Sequence, residues 1–230
     1  MEKYNLEKIE NTFKEKSWWA IIFNLLPAKY ITYFVANKTN ITPNQITFIS
    51  FIVAILAGEA FFKGYFILGA ILYQLSFIFD IVDGALARVT NQSSKFGAFF
   101  DVFTDWIKAP LLFVIIFLKT NHYYSLIFLL LLLFWLCLAN KYNDMLFYKG
   151  TKSISKNIAE KSFSEMNFIE KYFFYMKKNH IQPFPSTVEV EGFLLFLYPI
   201  FQKDVFIYLG FIILIFQLAI KLYIIIKKIK

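Results

Sequence analysis

The sequence has very little cysteine and very little arginine, and each shortage excludes a class of site. Cys137 is the single cysteine, so the sequence offers neither a disulfide framework nor a cysteine-based metal site. Arg88 is the single arginine, so 23 of the 24 basic residues are lysines. A chain that otherwise uses lysine for positive charge places its arginine where a planar, bidentate donor is useful.

Charge is scarce over long stretches, and these stretches are apolar. The 230 residues are 58% hydrophobic and 21% aromatic, with a mean hydropathy of +0.55. This composition excludes an ordinary soluble domain and predicts an all-α polytopic membrane protein. Most of the apolar runs are long enough to cross ~30 Å of hydrocarbon; the fifth is short and contains Glu189, Glu191 and Pro199. The six predicted spans are 46–62, 65–88, 97–118, 123–139, 189–202 and 204–226.

The basic residues lie mostly between the apolar runs and on one side of them. With a cytosolic N-terminus, the inside segments hold 20 Lys or Arg, and the outside turns hold Lys63, Lys119 and Lys203. Positive-inside logic therefore places both termini and the 88–96 turn in the cytosol, with the chain in the plasma (inner) membrane. Topology also accounts for the net charge of +8, so no nucleic-acid partner is predicted.

The first 45 residues are predicted to form a cytosolic N-terminal segment, and 46–230 a six-helix transmembrane domain. Residues 1–17 have no apolar core followed by a cleavage site, so they are not a cleaved signal peptide. The aromatic-rich stretch 18–35 predicts an interfacial amphipathic helix with Trp18 and Trp19 at headgroup level. A buried packing helix is the alternative. Thr42 is the predicted N-cap of the first span.

Aspartate is concentrated in the second and third spans, where an unpaired carboxylate costs several kcal/mol. Four of the six aspartates of the chain lie there: Asp80, Asp83, Asp101 and Asp105. At roughly 100° per residue, those of each span share one helix face. A turn near Gln92 and Ser93 brings Asp83 level with Asp101, and Asp80 level with Asp105. We therefore expect the four carboxylates to converge at one depth.

Four converging carboxylates repel one another unless cations neutralise them. Oxygen ligands favour hard ions, so two Mg²⁺ or Mn²⁺ ions are the predicted cofactors, with a phosphate or diphosphate as a further ligand. Gly84 and Ala87 leave room for a ligand to approach the backbone. Arg88 offers a planar fork to phosphate oxygens. Lys108, on the face of Asp105, either neutralises spare charge or makes a structural ion pair.

These residues form the pattern D-x-x-D-G-x-x-A-R-x8-G-x-x-x-D-x-x-x-D, which resembles the signature of the CDP-alcohol phosphotransferases. Every fixed position is occupied: Asp80, Asp83, Gly84, Ala87, Arg88, Gly97, Asp101 and Asp105. The resemblance implies six transmembrane helices, a dimetal site that faces the cytosol, and a homodimer. It also implies transfer of a substituted phosphate from a CDP-linked alcohol to an acceptor alcohol, with release of CMP.

The resemblance assigns roles to individual residues. Asp80, Asp83 and Asp101 would be metal ligands, and Asp105 both a ligand and the general base. Contacts to the CDP group are expected from Asn44, Thr47, Asp80, Gly84, Arg88 and Ser94. CDP-diacylglycerol with a small polyol or amino-alcohol acceptor is the expected substrate pair. The alternative is transfer of a CDP-activated polar alcohol to a lipid or sugar acceptor.

Other classes of protein also place carboxylates in a membrane. A divalent cation transporter needs a charge-lined path, whereas the polar stripe here stops partway along the two spans. A membrane prenyltransferase needs a second aspartate-rich motif, and Asp144 and Asp204 are solitary. A silent scaffold would be expected to have lost motif residues, and none is lost. The lysine-rich loop 140–188 is expected to contact anionic lipid headgroups or to guide an anionic acceptor.

Overall fold

The computed structural model of the chain describes residues 3–13, 16–150, 171, 174–176, 178–182 and 186–229. Helices make up most of these residues, and the only β-type pairing described is an isolated bridge between Lys16 and Ile181. Short π-helical stretches, Ala20–Asn24 and Gly192–Leu197, precede α2 and join α7 to α8. The helices are α1 Leu6–Glu10, α2 Leu25–Lys38, α3 Pro43–Lys63, α4 Phe66–Val89, α5 Lys95–Lys119, α6 Tyr123–Gly150, α7 Thr187–Glu191, α8 Tyr198–Phe201 and α9 Val205–Ile229.

The helices α4 and α5 and the turn between them carry the four aspartates and are called the aspartate hairpin below. Side-chain caps set where α5 and the preceding helix α3 begin. Thr42 caps α3: its Oγ1 accepts from the Gln45 backbone N–H, and the Gln45 side chain accepts from the Thr42 N–H at 2.8 Å. The predicted cap is therefore confirmed. Ser94 caps α5 by accepting from the Gly97 N–H at 2.9 Å. The turn between α4 and α5 is short and lies at 90–94, which confirms its predicted position near Gln92.

All six predicted spans coincide with helical stretches. By length and composition, α3 and α4 are apolar enough to cross a membrane, as a membrane protein requires. The apolar parts of α6 and α9 are shorter, Tyr123–Ala139 and Val205–Ile220, so the count of six spans remains a prediction. The apolar part of α6 ends at Ala139, as predicted for the fourth span, but the helix itself continues through Gly150, so the first part of the predicted 140–188 loop is helical. Loss of hydrophobicity marks where a membrane ends, but polar residues can continue a helix into water.

Two apolar clusters enclose the hairpin, one on each side of a polar layer. The first joins α3 to α9 and includes Phe61, Phe117 and Leu194, all fully buried. The second joins the N-terminal segment to α2, α3 and α4 through residues such as Ile9 and Val82. On α3 and α4, the stretches between the two clusters carry serine and aspartate. The carboxylates therefore lie where the apolar packing of the hairpin is interrupted.

The N-terminal segment is docked on the helices of the second cluster. Asn37 of α2 fixes its start: Oδ1 accepts from the Lys3 and Tyr4 backbone N–H groups at 2.9 and 3.0 Å, and Nδ2 donates to the Tyr4 carbonyl. Lys29 of α2 also donates to Glu10 at 2.5 Å. This hydrogen bond and the charge of Lys29 hold the pKa of Glu10 below its ordinary value. Residues 3–13 thus have defined contacts beside α4.

The stretch predicted to lie in the membrane interface has one buried and one exposed part. Trp19 is 5% exposed, because its backbone N–H donates to Glu189 and its indole N–H donates to Gln74. The structure therefore places Trp19 inside the protein, not at the surface. Leu26, Tyr30 and Phe34, spaced at i, i+4 and i+8, form an exposed stripe on α2. That stripe supports the interfacial position of α2, which remains a prediction.

Candidate active site

Three carboxylates of the hairpin come together as predicted. Asp80 of α4 and Asp101 and Asp105 of α5 each offer an oxygen, and these oxygens all lie within 4.8 Å of one another. The spacing of Asp101 and Asp105 places both on one face of α5, opposite the face of α4 that carries Asp80. A group of oxygens this close suits a hard divalent cation, since Mg²⁺ and Mn²⁺ prefer carboxylate and phosphate ligands.

The fourth carboxylate lies beside this group, not within it. Asp83 is 3% exposed, and its Oδ2 accepts from the Thr47 hydroxyl at 2.6 Å. It lines the same cavity as Asp101, whereas Asp80 and Asp105 contact a common lysine. The expected pairing of the aspartates across the hairpin is therefore present, and three of the four form the close group. A role for Asp83 as a metal ligand remains a prediction.

Lys108 provides a cation next to the buried carboxylates. Its Nζ lies 2.5 Å from Asp80 Oδ1, 2.8 Å from Asp105 Oδ1 and 3.3 Å from Ser50 Oγ. The side chains of Lys108 and Asp80 are 10% and 14% exposed, and that of Asp105 is 47% exposed. Charge neutralisation and a structural ion pair were the two predicted roles of Lys108. They are one and the same contact here, because the ion pair itself neutralises the negative charge. Asp105 is the member of the triad with the most open approach.

Two serines hold α3 against α4 at the depth of Asp80. The Ser50 hydroxyl donates to the Ser76 carbonyl, and the Ser76 hydroxyl donates to the Ser50 carbonyl, both at 2.9 Å. These reciprocal bonds satisfy both hydroxyls inside the protein, where unpaired polar groups are costly. The small side chains also let the two helices approach closely, as small residues do in membrane helix pairs. They thus fix the helix that carries Asp80.

A first cavity of about 140 Å³ opens beside the carboxylates, between the hairpin turn and the start of α3. The residues around it include both Asp83 and Asp101. Its lining contains five of the six expected CDP contacts: Asn44, Thr47, Gly84, Arg88 and Ser94. The sixth, Asp80, lines the two neighbouring cavities instead. Residues that are far apart in sequence are therefore brought together around one cavity, and their contacts with a nucleotide remain a prediction.

The two motif glycines leave space for side chains of this first cavity. A Cβ on Gly97 would lie 2.8 Å from Asn44 Oδ1 and 3.0 Å from Ser94 Oγ. A Cβ on Gly84 would lie 3.2 and 3.3 Å from the terminal nitrogens of Arg88. Both contacts are too close for a real side chain without movement of the polar group. Glycine at these positions therefore lets the polar groups of the cavity keep their places.

Arg88 is held by the N-terminal segment, a contact that sequence reasoning missed. Its Nε donates to the Thr12 carbonyl at 2.7 Å. The bond fixes the guanidinium plane and leaves the terminal nitrogens beside Gly84. Thr12 has no recognisable motif, and a backbone carbonyl carries no signal in a sequence. The N-terminal segment thus contributes to the site although it lies 76 residues away along the chain.

A second cavity of about 320 Å³ lies on the other side of Asp80. It is lined by Asp80, Asp105 and Lys108 together with Tyr73 and Glu191. The Tyr73 hydroxyl donates to Glu191 Oε2 at 3.0 Å, across 118 residues of sequence. In the sequence, Glu191 stands out only as a charge at the start of the predicted fifth span. A charged residue within an apolar run needs a polar partner, and this was the indication in the sequence that Glu191 makes a polar contact.

A third cavity of about 480 Å³ lies toward the N-terminal segment. Its lining combines the acids Asp80 and Asp101 with Lys16, Arg88 and Gln182. Lys16 is held there by its backbone, which donates to the His180 carbonyl at 2.7 Å and accepts from the Gln182 N–H at 3.0 Å. Asp105 lines the second cavity and neither of the other two. The three carboxylates thus stand where three cavities of different charge meet.

Short stretches of three characterised proteins are similar to this chain. Archaetidylinositol phosphate synthase of Pyrococcus horikoshii is 45% identical over 65 residues, which cover 28% of this chain and 35% of that protein. Phosphatidylinositol phosphate synthase of Corynebacterium glutamicum is 37% identical over 93 residues, or 38% of this chain and 42% of that protein. The bifunctional IPC transferase and DIPP synthase of Thermococcus kodakarensis is 40% identical over 65 residues, covering 28% and 15%. Each match spans less than half of the relative.

The family-level match is much longer than these pairwise matches. The sequence profile of the CDP-alcohol phosphatidyltransferases matches residues 40–223 of the 230. The matched range begins just before the cap of α3 and extends into α9, so it contains the whole aspartate hairpin and the linings of the first and second cavities. It confirms the resemblance that the spacing of the aspartates indicated. The chain belongs to the CDP-alcohol phosphatidyltransferase family.

Proposed function

We propose that the chain is an integral membrane transferase that moves a substituted phosphate from a CDP-linked alcohol to a second alcohol and releases CMP. The observation that carries the proposal is the convergence of Asp80, Asp101 and Asp105 beside a cavity lined by the remaining motif residues. CDP-diacylglycerol is the proposed donor, so that the product is a phospholipid. Membership of the family supports the reaction type, and the two long apolar helices support access to a lipid donor.

Two Mg²⁺ or Mn²⁺ ions are the proposed cofactors. Asp80, Asp101 and Asp105 fit a hard cation by their all-oxygen donor set and their mutual distances within 4.8 Å. Asp83, next to Asp101 in the first cavity, is the proposed additional ligand. Bound ions would supply charge neutralisation at the diphosphate of the donor. Lys108 partly compensates the same carboxylates through its contacts with Asp80 and Asp105.

Side chains of the chain are proposed to bind the nucleotide, to contact its phosphates and to take the proton of the acceptor. Asn44, Thr47 and Ser94 offer hydrogen-bonding groups to the nucleotide in the first cavity, and the Arg88 fork contacts phosphate oxygens. Asp105, the most open carboxylate of the triad, is the proposed general base that takes the proton of the acceptor hydroxyl. The acceptor oxygen then bonds to the phosphorus distal to cytidine. The bond from that phosphorus to the CMP oxygen breaks, and CMP leaves.

The proposed activity is tested by following CMP release from CDP-diacylglycerol by the purified protein, with Mn²⁺ and a panel of alcohols. We expect release that depends on both the donor and an acceptor, and that EDTA abolishes, because the carboxylates alone repel the diphosphate. Chromatographic detection of CMP and of the lipid product measures the reaction. Equal CMP release with and without EDTA would overturn the metal-dependent transfer, and no release with any acceptor would overturn the activity.

Gly97→Ala is expected to weaken nucleotide binding by about tenfold or more, because the new methyl group displaces Asn44 or Ser94 from the first cavity. Titration of the purified protein with CMP in the presence of Mn²⁺ measures the affinity. Gly210→Ala is the matched control: its methyl group meets only the side chain of Leu194, at 3.2 Å, away from the site. Equal CMP affinity of the Gly97→Ala variant and the control would remove Asn44 and Ser94 from the proposed nucleotide site.

Topology and assembly are also proposals. We place both termini and the mouth of the site in the cytosol of a cell with a plasma (inner) membrane, on the strength of the lysine distribution. In that orientation the first cavity opens at the α4–α5 turn, on the side where nucleotide and Mg²⁺ are available. A homodimer is proposed from the family resemblance.

A further inference from the structure

We propose that the acceptor is an uncharged or cationic alcohol, selected by Glu191 and Tyr73 in the second cavity, and not a phosphorylated one. This inference rests on the proposed function, because it names the acceptor class of that reaction. It concerns residues that lie outside the aspartate motif. Glu191 belongs to the end of α7 and Tyr73 to α4, and their hydrogen bond joins these helices next to the carboxylates.

The position of Asp105 indicates which cavity receives the acceptor. A general base must come within hydrogen-bond distance of the hydroxyl that it deprotonates, about 3 Å. Asp105 lines the second cavity and neither the first nor the third. The nucleotide of the donor is proposed for the first cavity, on the opposite side of the hairpin carboxylates. A hydroxyl in the second cavity therefore lies beside the proposed base without competing with the nucleotide for space.

The charges around the second cavity favour a neutral or positive ligand. Three carboxylates line it, those of Asp80, Asp105 and Glu191, against the single ammonium of Lys108. That ammonium already contacts both aspartates, at 2.5 and 2.8 Å. The proposed metal ions would neutralise Asp80 and Asp105, so Glu191 is the lining carboxylate that keeps its charge and that a phosphate on the acceptor would face. Juxtaposed like charges cost several kcal/mol in a recognition site.

Glu191 is also arranged to accept hydrogen bonds from a ligand. Tyr73 donates to Oε2, which fixes the carboxylate, and Oε1 accepts no hydrogen bond from the described part of the chain. A polyol hydroxyl or an ammonium group in the cavity can donate to this oxygen. Thr187 adds a hydroxyl to the same lining. The polar groups of the second cavity therefore suit the donors that polyols and amino alcohols present.

The cations of the site lie elsewhere, toward the donor. Lys16 and Arg88 line the third cavity together with Asp80 and Asp101, and Arg88 also lines the first. This places them where the negative diphosphate of the donor would reach Asp101. A phosphorylated acceptor held by Lys16 is the competing outcome. It would enter through the third cavity, where Asp105 is not part of the lining.

Matched pairs of acceptors test the proposal on the unmodified protein. CMP release from CDP-diacylglycerol with Mn²⁺ is measured with glycerol against glycerol 3-phosphate, with myo-inositol against inositol 1-phosphate, and with ethanolamine as a cationic acceptor. We expect the unphosphorylated member of the productive pair, or ethanolamine, to exceed the phosphorylated acceptors in kcat/KM by at least about tenfold. An equal or higher kcat/KM for a phosphorylated acceptor overturns the proposal.

Two substitutions distinguish the role of Glu191 in acceptor choice from that of Lys16. Glu191→Gln keeps the shape of the side chain and removes its charge. The kcat/KM values for unphosphorylated and phosphorylated acceptors should then lie within about threefold of each other. Lys16→Gln should weaken donor binding for every acceptor alike and leave the preference unchanged. Glu59→Gln, at an exposed residue paired with Lys63, is the control for loss of a carboxylate elsewhere. An unchanged preference in Glu191→Gln, or a loss in Lys16→Gln that affects phosphorylated acceptors more than the others, overturns the inference.

Donor binding distinguishes failure of this inference from failure of the proposed function. Mn²⁺-dependent binding of CDP-diacylglycerol is measured by itself, without an acceptor. A protein that binds the donor but prefers phosphorylated acceptors refutes only the acceptor class. A protein that neither binds the donor nor releases CMP refutes the proposed transfer, and the acceptor inference fails with it.

Discussion

Asp105→Asn is expected to bind the CDP-linked donor but to lose transfer by about 10²–10⁴-fold, the range that a positioned general base contributes. The amide cannot take the acceptor proton, although it keeps the size of the carboxylate. Donor binding should persist because Asp105 is absent from the lining of the first cavity, where the nucleotide is proposed. Asp80→Asn should lose both binding and transfer. The side chain of Asp80 is 14% exposed, against 47% for Asp105, and it also contacts Lys108.

Mn²⁺-dependent binding of CDP-diacylglycerol and CMP release, measured on the same preparations, check this pair of variants. Asp204→Asn is the matched control, because Asp204 is 53% exposed and its described side-chain neighbour is His122, at 3.4 Å. We expect the control to keep both properties. Donor binding by Asp105→Asn as poor as that by Asp80→Asn would show that Asp105 is required to bind the donor, and its separate assignment as the base would be removed.

The hairpin and its carboxylates could be predicted because both follow from local periodicity. Steps of roughly 100° place residues three or four apart on one helix face, and a short turn makes the two faces meet. Asp101 and Asp105 are such a pair, and Asp80 opposes them across the hairpin as expected. The helix start at Thr42 was equally accessible, since a cap is a local exchange of hydrogen bonds. These features depend on residues near in sequence.

The contacts that complete the site could not be predicted in the same way. Tyr73 meets Glu191 across 118 residues, and Arg88 meets Thr12 across 76, so both contacts depend on how separate segments of the chain pack. The burial of Trp19 has the same origin, because its partners Gln74 and Glu189 come from two other segments of the chain. The sequence indicates that a charge in an apolar run needs a partner, but not which partner it finds.

Lys108→Met is expected to destabilise the metal-free protein by about 3–5 kcal/mol, the usual cost of removing one partner from a buried ion pair. The substitution leaves Asp80 and Asp105 without their common cation, while a methionine of similar length still fills the space. Thermal unfolding of the purified protein in EDTA measures the loss. Lys63→Met is the matched control: its pair with Glu59 is more than half exposed on both sides, so we expect little change in the unfolding temperature.

Added Mn²⁺ should reverse much of the loss in Lys108→Met and should stabilise this variant more than the unmodified protein. A divalent ion and the Lys108 ammonium compensate the same carboxylates, so removal of the ammonium leaves more negative charge for the metal to neutralise. A ligand that binds only the folded protein stabilises it according to its affinity, so the larger rise in melting temperature reports tighter metal binding. If Mn²⁺ raised the melting temperature equally in both proteins, the metal would lie away from the oxygens that Lys108 contacts. The assignment of Asp80 and Asp105 as ligands would then be wrong, whatever the protein catalyses.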